Sequence, residues 1–221
     1  DGERRICHPR GKKSAVVVGD RVRWQASADE GTIEQVLPRR NLLYRQDEIR
    51  TKSFAANIDQ VLILIAAQPE FSAMQLARAL IAAEAQRIPA LVVLNKRDLG
   101  DAFDRAWQRL APHRAAGHTV LPLCLRDGDL TLLAALREQL EGRVTLVMGP
   151  SGVGKSTLIN ALVPQALADT AEISLALNSG KHTTTHTRWY WMGSDHTTAL
   201  IDSPGFQEFG LQHIGAADLA L

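Results

Sequence analysis

A chain of 221 residues has room for one large domain or two smaller ones and can bury a sizeable core. Its apolar share of 45% and charged share of 22% are those of an ordinary globular protein. No apolar run approaches the ~18 residues of a membrane span. The charged start (Asp1, Glu3, Arg4, Arg5) lacks the apolar core of a secretion signal. The cysteines, Cys7 and Cys124, form neither a disulfide framework nor a zinc-ligand spacing. A reduced, cytoplasmic setting is the expectation. The net charge of +1 is unevenly spread: residues 1–57 carry twelve Lys and Arg against eight Asp and Glu, the remainder thirteen against sixteen. A basic portion ahead of a mildly acidic one suggests that the first part faces a polyanion, although a solvated face explains such a surplus as well.

From Ile6 to Leu43 the pattern is of short strands with turn signals. Ser14 to Val18 ends at Gly19-Asp20, Arg21 to Trp24 alternates with period two, and Gly31 to Leu37 alternates again before Pro38. This spacing fits a small antiparallel barrel of the OB type. Arg10, Lys12, Lys13, Arg21, Arg23, Arg39 and Arg40 lie on or beside these strands, with Trp24 and Tyr44 nearby. Cations interleaved with aromatics suit unpaired RNA; equally, Trp24 can be a core residue and the cations solubilising. Arg45 to Ala56 is polar and weakly patterned and reads as a linker.

Beyond it, Ile58 to Ala66 and Ala90 to Leu94 are continuous apolar runs, as buried parallel strands are. Helical spacing runs from Ser72, a candidate N-cap, to Gln86, from Asp101 to Arg109 with Phe103, Trp107 and Leu110 on one face, and from Leu130 to Leu140. Thr119 to Leu125 and Val144 to Met148 complete a set of strands, and Arg188 to Trp191 with Thr197 to Ile201 reads as a hairpin about Gly193-Ser194-Asp195. Strands and helices in alternation give a doubly wound, mostly parallel α/β sheet. The expected division is 1–57 for the β-barrel with its linker and 58–221 for the α/β part. The missing initiator Met and the unfinished helical pattern from Ala216 to Leu221 suggest a fragment.

Gly149-Pro150-Ser151-Gly152-Val153-Gly154-Lys155-Ser156-Thr157 is a complete G-x-x-x-x-G-K-[ST] loop between an apolar strand and a helix, the context that motif requires. Its glycines let successive N–H groups and a helix N-terminus face a phosphate. Lys155 would reach the β- and γ-phosphates and the Ser156 hydroxyl would ligate Mg²⁺. Asn95-Lys96-Arg97-Asp98 matches N-K-x-D. Asp98 can accept from N1–H and N2–H₂ of guanine, a donor pair that adenine lacks, while Asn95 and Lys96 hold the loop. Asp202-Ser203-Pro204-Gly205 matches D-x-x-G after an apolar strand, with Asp202 toward Mg²⁺ and the Gly205 N–H toward the γ-phosphate.

Between them, Gly180 to His186 is a Thr-rich loop in which Thr184 and Thr185 can meet the nucleotide, Thr185 completing the Mg²⁺ shell. After Gly205 stands Phe206, where Ras-like enzymes carry the glutamine that orients water, so slow intrinsic hydrolysis is expected. His182 is the candidate to position that water; the alternative is an ordinary surface histidine. In ordinary GTPases the phosphate loop comes first and N-K-x-D last. Here N-K-x-D comes first, which marks a circularly permuted GTPase domain.

That order, behind a small basic β domain, resembles the RsgA (YjeQ/YloQ) family of small-ribosomal-subunit-dependent GTPases. The resemblance is carried by Val18 to Val22, Ala56 to Val61, Leu94 to Leu99, Gly149 to Asn160, Gly180 to Thr185 and Asp202 to Leu211. It implies an OB-fold ahead of a permuted GTPase core, binding of GTP and GDP with Mg²⁺, and hydrolysis stimulated by the small subunit during its late maturation. It also implies contact with that subunit's rRNA, no membrane, and a monomer. The family's apolar replacement of the catalytic glutamine is met by Phe206, and its switch-loop histidine by His182. Members of the family normally continue into a helical zinc-binding domain, whose Cys/His cluster has no counterpart after Cys124, so zinc is expected only there. The loop that backs the guanine base, usually Ser-rich, corresponds to Leu123-Cys124-Leu125. Two other readings are a GTP-gated RNA-binding switch with negligible turnover, and another permuted GTPase with a large-subunit or membrane role.

Overall fold

The computed structural model describes residues 5–10, 16–27, 30–46, 51–126, 130–164, 166 and 187–204. Two small sheets come first. Strand β1 (Cys7–Pro9) runs parallel to β3 (Gly31–Val36), which pairs antiparallel with β2 (Val22–Ala26). Strands β4 (Leu42–Gln46) and β5 (Thr51–Ala56) form a separate antiparallel pair. Two expectations need correction here. The segment read as a linker ends in β5, and its Phe54, Ala55 and Ala56 are buried. The polar run failed to signal a strand because β5 is stabilised by its partner β4 and by distant core residues, not by its own pattern. Val16 to Val18, read as the end of a strand, lie outside any strand; the turn at Gly19 expected after them is present, closed by the Asp20 N–H to the Val17 carbonyl at 3.2 Å.

The cations of this portion divide in two. Arg39 donates Nε to Asp20 Oδ1 at 2.7 Å and Nη2 to Asp20 Oδ2 at 2.8 Å, and the Asp20 side chain is 1% exposed. The hydrogen bond to Asp20 holds the Arg39 guanidinium above its ordinary pKa. Arg40 donates to Asp59 Oδ1 at 2.8 Å and to the Asn57 carbonyl at 2.9 Å. These two join segments of the chain. Arg10, Arg21 and Arg23 are exposed, as is Trp24 at 42%, with the Arg5 guanidinium 5.3 Å from its ring centroid. Trp24 is therefore not a core residue, and it lies over Gly31 of the neighbouring strand.

The larger sheet has six strands in the order β10-β11-β9-β6-β7-β8. Its members are β6 (Gln60–Ala66), β7 (Ala90–Asn95), β8 (Thr119–Pro122), β9 (Val144–Met148), β10 (Arg188–Trp191) and β11 (Ala199–Asp202). All neighbours run parallel except the β10–β11 hairpin, the edge expected from the sequence. Strand β8 is shorter than expected: it ends at Pro122, which has no N–H for the ladder, although the Leu123 N–H still reaches the Leu94 carbonyl at 2.8 Å.

Every residue of β6 is buried, because helices cover both faces. Period-two alternation divides the strands accordingly. Val61, Ile63, Ile65, Val92, Leu94, Leu146 and Met148 pack with α1 (Ala73–Ala85), α2 (Asp101–Arg109), and Leu43, Phe54 and Ala55 of the β4–β5 pair. Leu62, Leu64, Leu91, Val93 and Val147 pack with α4 (Leu130–Leu140) and α5 (Lys155–Leu162) on the other side. A short helix, α3 (Ala111–Ala115), follows α2. Ser72 caps α1 as expected, its hydroxyl accepting the Gln75 N–H at 3.3 Å.

Candidate functional site

The C-terminal ends of β9, β7 and β11 bring the three motifs together, where a parallel sheet presents its ligand crevice. The loop from Gly149 links β9 directly to α5. Gly149 packs against the neighbouring strand so closely that a Cβ there would stand 2.4 Å from the Leu64 carbonyl oxygen. Gly154, at φ +99°, caps α5, and a Cβ there would stand 2.5 Å from Asn95 Nδ2. Side chains at Gly149 and Gly154 would thus push the loop away from β6 and Asn95. Val153 is buried, whereas Ser151, Ser156 and Thr157 are exposed. The Ser156 hydroxyl sits in the first turn of α5.

Asn95, 3% exposed at the end of β7, donates Nδ2 to the Val153 carbonyl at 2.9 Å. Its Oδ1 is buried with no hydrogen-bond donor among the described residues. Lys96 donates Nζ to the Gly152 carbonyl at 2.9 Å and to the Gln68 carbonyl, so it joins the phosphate loop to the turn after β6. Asp98 lies in a short 3₁₀ turn, Arg97–Leu99. Its carboxylate accepts the Cys124 thiol at 3.6 Å, and the exposed Arg126 guanidinium lies 3.9 Å away. The Arg97 N–H reaches the Leu123 carbonyl at 3.1 Å, and Leu125 stands 3.6 Å from the Cβ position of Gly154. The 123–125 loop therefore adjoins both motifs.

At the end of β11, Asp202 is 6% exposed and accepts Lys155 Nζ at 2.7 Å. Ser203 is fully buried and donates Oγ to the Val147 carbonyl at 2.9 Å, which ties the D-x-x-G turn to β9. The sequence gives only a weak sign of this, a small hydroxyl beside the motif aspartate. The turn at Gln68 has no sequence signal at all, because Lys96 reaches it from another strand.

A buried carboxylate, an exposed hydroxyl on a helix N-terminus and a glycine cradle suit a phosphate-bound Mg²⁺, whose remaining ligands are phosphate oxygens and water. Among the described residues no three His, Cys, Asp or Glu side chains gather as a protein-only metal site. His182, Thr184, Thr185, Gly205 and Phe206 lie outside the described residues. No helix among the described residues is long and apolar enough to cross a membrane.

Comparison with known proteins agrees with this arrangement. The RsgA GTPase family matches residues 36–212. The small ribosomal subunit biogenesis GTPase RsgA of Variovorax paradoxus (strain S110) is 69% identical over 219 residues, 99% of this chain and 69% of that protein. Its counterpart in Paraburkholderia phytofirmans (strain DSM 17436 / LMG 22146 / PsJN) is 53% identical over 94% of this chain and 67% of that protein. Among solved structures, YjeQ from Thermotoga maritima superposes with a TM-score of 0.70 at 29% identity, over 99% of this chain and 72% of that one. YloQ, described as a circularly permuted GTPase, gives 0.64 at 28% identity, over 96% of this chain and 67% of that one.

Proposed function

The chain belongs to the RsgA GTPase family and is a hydrolase acting on GTP in ribosome biogenesis, and we propose that it acts in late maturation of the small ribosomal subunit, which stimulates its turnover. One observation carries the nucleotide part of this reading. Asn95 and Lys96, from the guanine motif, are hydrogen-bonded to Val153 and Gly152 of the phosphate loop, so base and phosphates are read by one braced unit.

In this reading the N–H groups of Gly149, Ser151, Gly152, Val153 and Gly154, with the N-terminus of α5, hold the phosphates of GTP or GDP. Thr157 completes this turn. Lys155 exchanges Asp202 for the β- and γ-phosphates, and Asp98 accepts the two guanine donors. Ser156, Thr185 and Asp202 would hold Mg²⁺, which when bound would supply neutralisation of the charge developing on the phosphates. Gly205 contacts the γ-phosphate, Thr184 orders the switch loop, and His182 positions the attacking water in place of the glutamine that Phe206 replaces.

Residues 1–57 form the rRNA-facing part and 58–221 the GTPase part, in a cytoplasmic monomer. The exposed Arg10, Arg21, Arg23 and Trp24 support the first assignment, since unpaired bases stack on aromatics while cations hold the backbone. The relatives' names supply the small subunit as partner.

The test is GTP turnover by this chain alone, with purified small subunits, and with large subunits. Stimulation by small subunits only is the expected result. Equal stimulation by both, or by neither, overturns the proposed partner. Failure to bind GTP overturns the site.

A further inference from the structure

Helix α3 ends in a closed turn that sets two imidazoles side by side. The Gly117 N–H reaches the Arg114 carbonyl at 3.0 Å, the His118 N–H reaches the His113 carbonyl at 3.1 Å, and Gly117 stands at φ +89°. This paired bonding is a Schellman cap, in which the first and last residues of the turn bring their side chains together, ordinarily as an apolar contact. Here both are histidines, each half-buried, with ring centroids 5.9 Å apart. Arg114, the cation within the same turn, is committed elsewhere: Nη1 donates to the Trp107 carbonyl at 2.9 Å, and the guanidinium lies 4.3 Å from the Trp107 ring centroid. Burial, and then the neighbouring His118, hold His113 below its ordinary pKa, so at neutral pH it keeps the lone pair that a metal requires.

The spacing suits one shared ion. A zinc ion about 2.0–2.1 Å from one nitrogen of each ring stands about 3.2 Å from each centroid, which puts the centroids about 5.2 Å apart at a tetrahedral angle and about 6.4 Å apart at a linear one. The observed 5.9 Å falls inside that window. Imidazoles select borderline divalent ions such as Zn²⁺, Cu²⁺ and Ni²⁺ over hard Mg²⁺. Among the described residues no third His, Cys, Asp or Glu joins the pair, so water would complete the coordination.

We propose that His113 and His118 form a two-imidazole site for a borderline divalent transition-metal ion, which clamps the cap of α3 to the start of β8. The site adjoins Thr119, at the opposite end of the parallel sheet from the nucleotide motifs, and does not depend on the GTP reading.

The experiment titrates ZnCl₂ into the nucleotide-free chain by calorimetry, in excess Mg²⁺ to compete at any oxygen-donor site. The unaltered chain is compared with His113→Gln, His118→Gln and His118→Cys, each checked by its melting curve without zinc. The other histidines and cysteines stay in place, so differences between the chains isolate this pair. Either Gln variant should weaken zinc binding about tenfold or more, since one of two ligands is gone. His118→Cys, which supplies another zinc donor, should recover most of that loss. Zinc should raise the melting temperature of the unaltered chain and of neither Gln variant. In the unaltered chain, zinc should also protect both His113 and His118 from diethylpyrocarbonate, read by peptide mass, which keeps the test independent of how the variants fold.

Equal zinc affinity in the unaltered chain and both Gln variants would overturn the proposal. Modification of His113 and His118 at the same rate with and without zinc would do the same. A loss in the Gln variants that His118→Cys does not recover would assign the imidazoles to packing instead.

Discussion

Lys155 and Asp202 neutralise one another at the centre of the site: Nζ lies 2.7 Å from Oδ1, and each side chain is 8% exposed. In the proposed function both groups turn to the nucleotide once a triphosphate enters, which would make the pair an exchange point rather than a permanent strut. Removing one partner leaves a buried charge without compensation, which costs far more than removing both.

Lys155→Ala should therefore abolish GTP turnover and also lower stability by about 3 kcal/mol. The double change Lys155→Ala with Asp202→Asn should recover part of that stability and none of the turnover. Urea denaturation followed beside GTP hydrolysis checks both halves. A double variant no more stable than the single one would show that the pair carries no such charge balance.

Asp98→Asn should lower GDP affinity about a hundredfold and raise XDP affinity, because the amide cannot accept from both guanine donors while xanthine offers a carbonyl in place of the amine. Direct titration of both nucleotides decides it. Unchanged GDP binding would remove Asp98 from the base site.

Gly154→Ala should cost about 2 kcal/mol, from a side chain forced to φ +99° and from displacement of Asn95. Since the new methyl already breaks the Asn95–Val153 bond, Asn95→Ala should add less on top of Gly154→Ala than it costs alone. Thermal melts of the two single variants and the double variant measure that difference; strict additivity would contradict it.

Arg39→Ala should destabilise the chain by about 3 kcal/mol, because Asp20 is 1% exposed and loses its counter-charge and two of its donors, keeping the Val17 N–H at 2.9 Å. Arg21→Ala and Arg23→Ala should leave stability within about 0.5 kcal/mol, weaken binding to small-subunit rRNA, and each lower its salt dependence by about one ion. Chemical denaturation and filter binding at several salt concentrations separate the two classes. The reverse pattern would reassign the rRNA-facing surface.

Burial, reinforced by the His118 imidazole 5.9 Å away between ring centroids, holds His113 below its ordinary pKa. The unfolded chain then takes up a proton near pH 6.5 while the folded chain resists, so the unfolded state binds more protons below that pH. Stability from this group is present above about pH 6.5 and lost as pH falls toward the lower folded value. Thermal melts at pH 7.5 and 5.5 should show a smaller acid loss in His113→Gln than in the unaltered chain.

Much of the architecture was legible because its signals are local. Buried strands such as Val61 to Ile65 announce themselves as unbroken apolar runs, and Ser72 announces a helix start. The phosphate loop and N-K-x-D were legible for the same reason. Strand β5 was not, since Thr51 to Ala56 contains one large apolar residue, Phe54, whose burial depends on residues far along the chain. Nor could composition separate Arg39 from Arg23: both are cations beside strands, and only the fold places Asp20 beneath one of them. The links that brace the site, Asn95 to Val153 and Lys155 to Asp202, join residues far apart in sequence and belong to no motif taken singly.

The strand order has a consequence for how the molecule is made. As the chain emerges from synthesis, β6 comes first, and β7 and β8 add outward on one side; β9, β11 and β10 then extend the opposite side. No strand of this sheet has to push between two already paired, except that β11 precedes β10 in space while following it in sequence, as a hairpin delivered whole. Asn95 thus precedes Val153 in the chain although the two are bonded in the fold. The permuted motif order means that N-K-x-D, with Asn95, is synthesised before the phosphate loop that Asn95 braces.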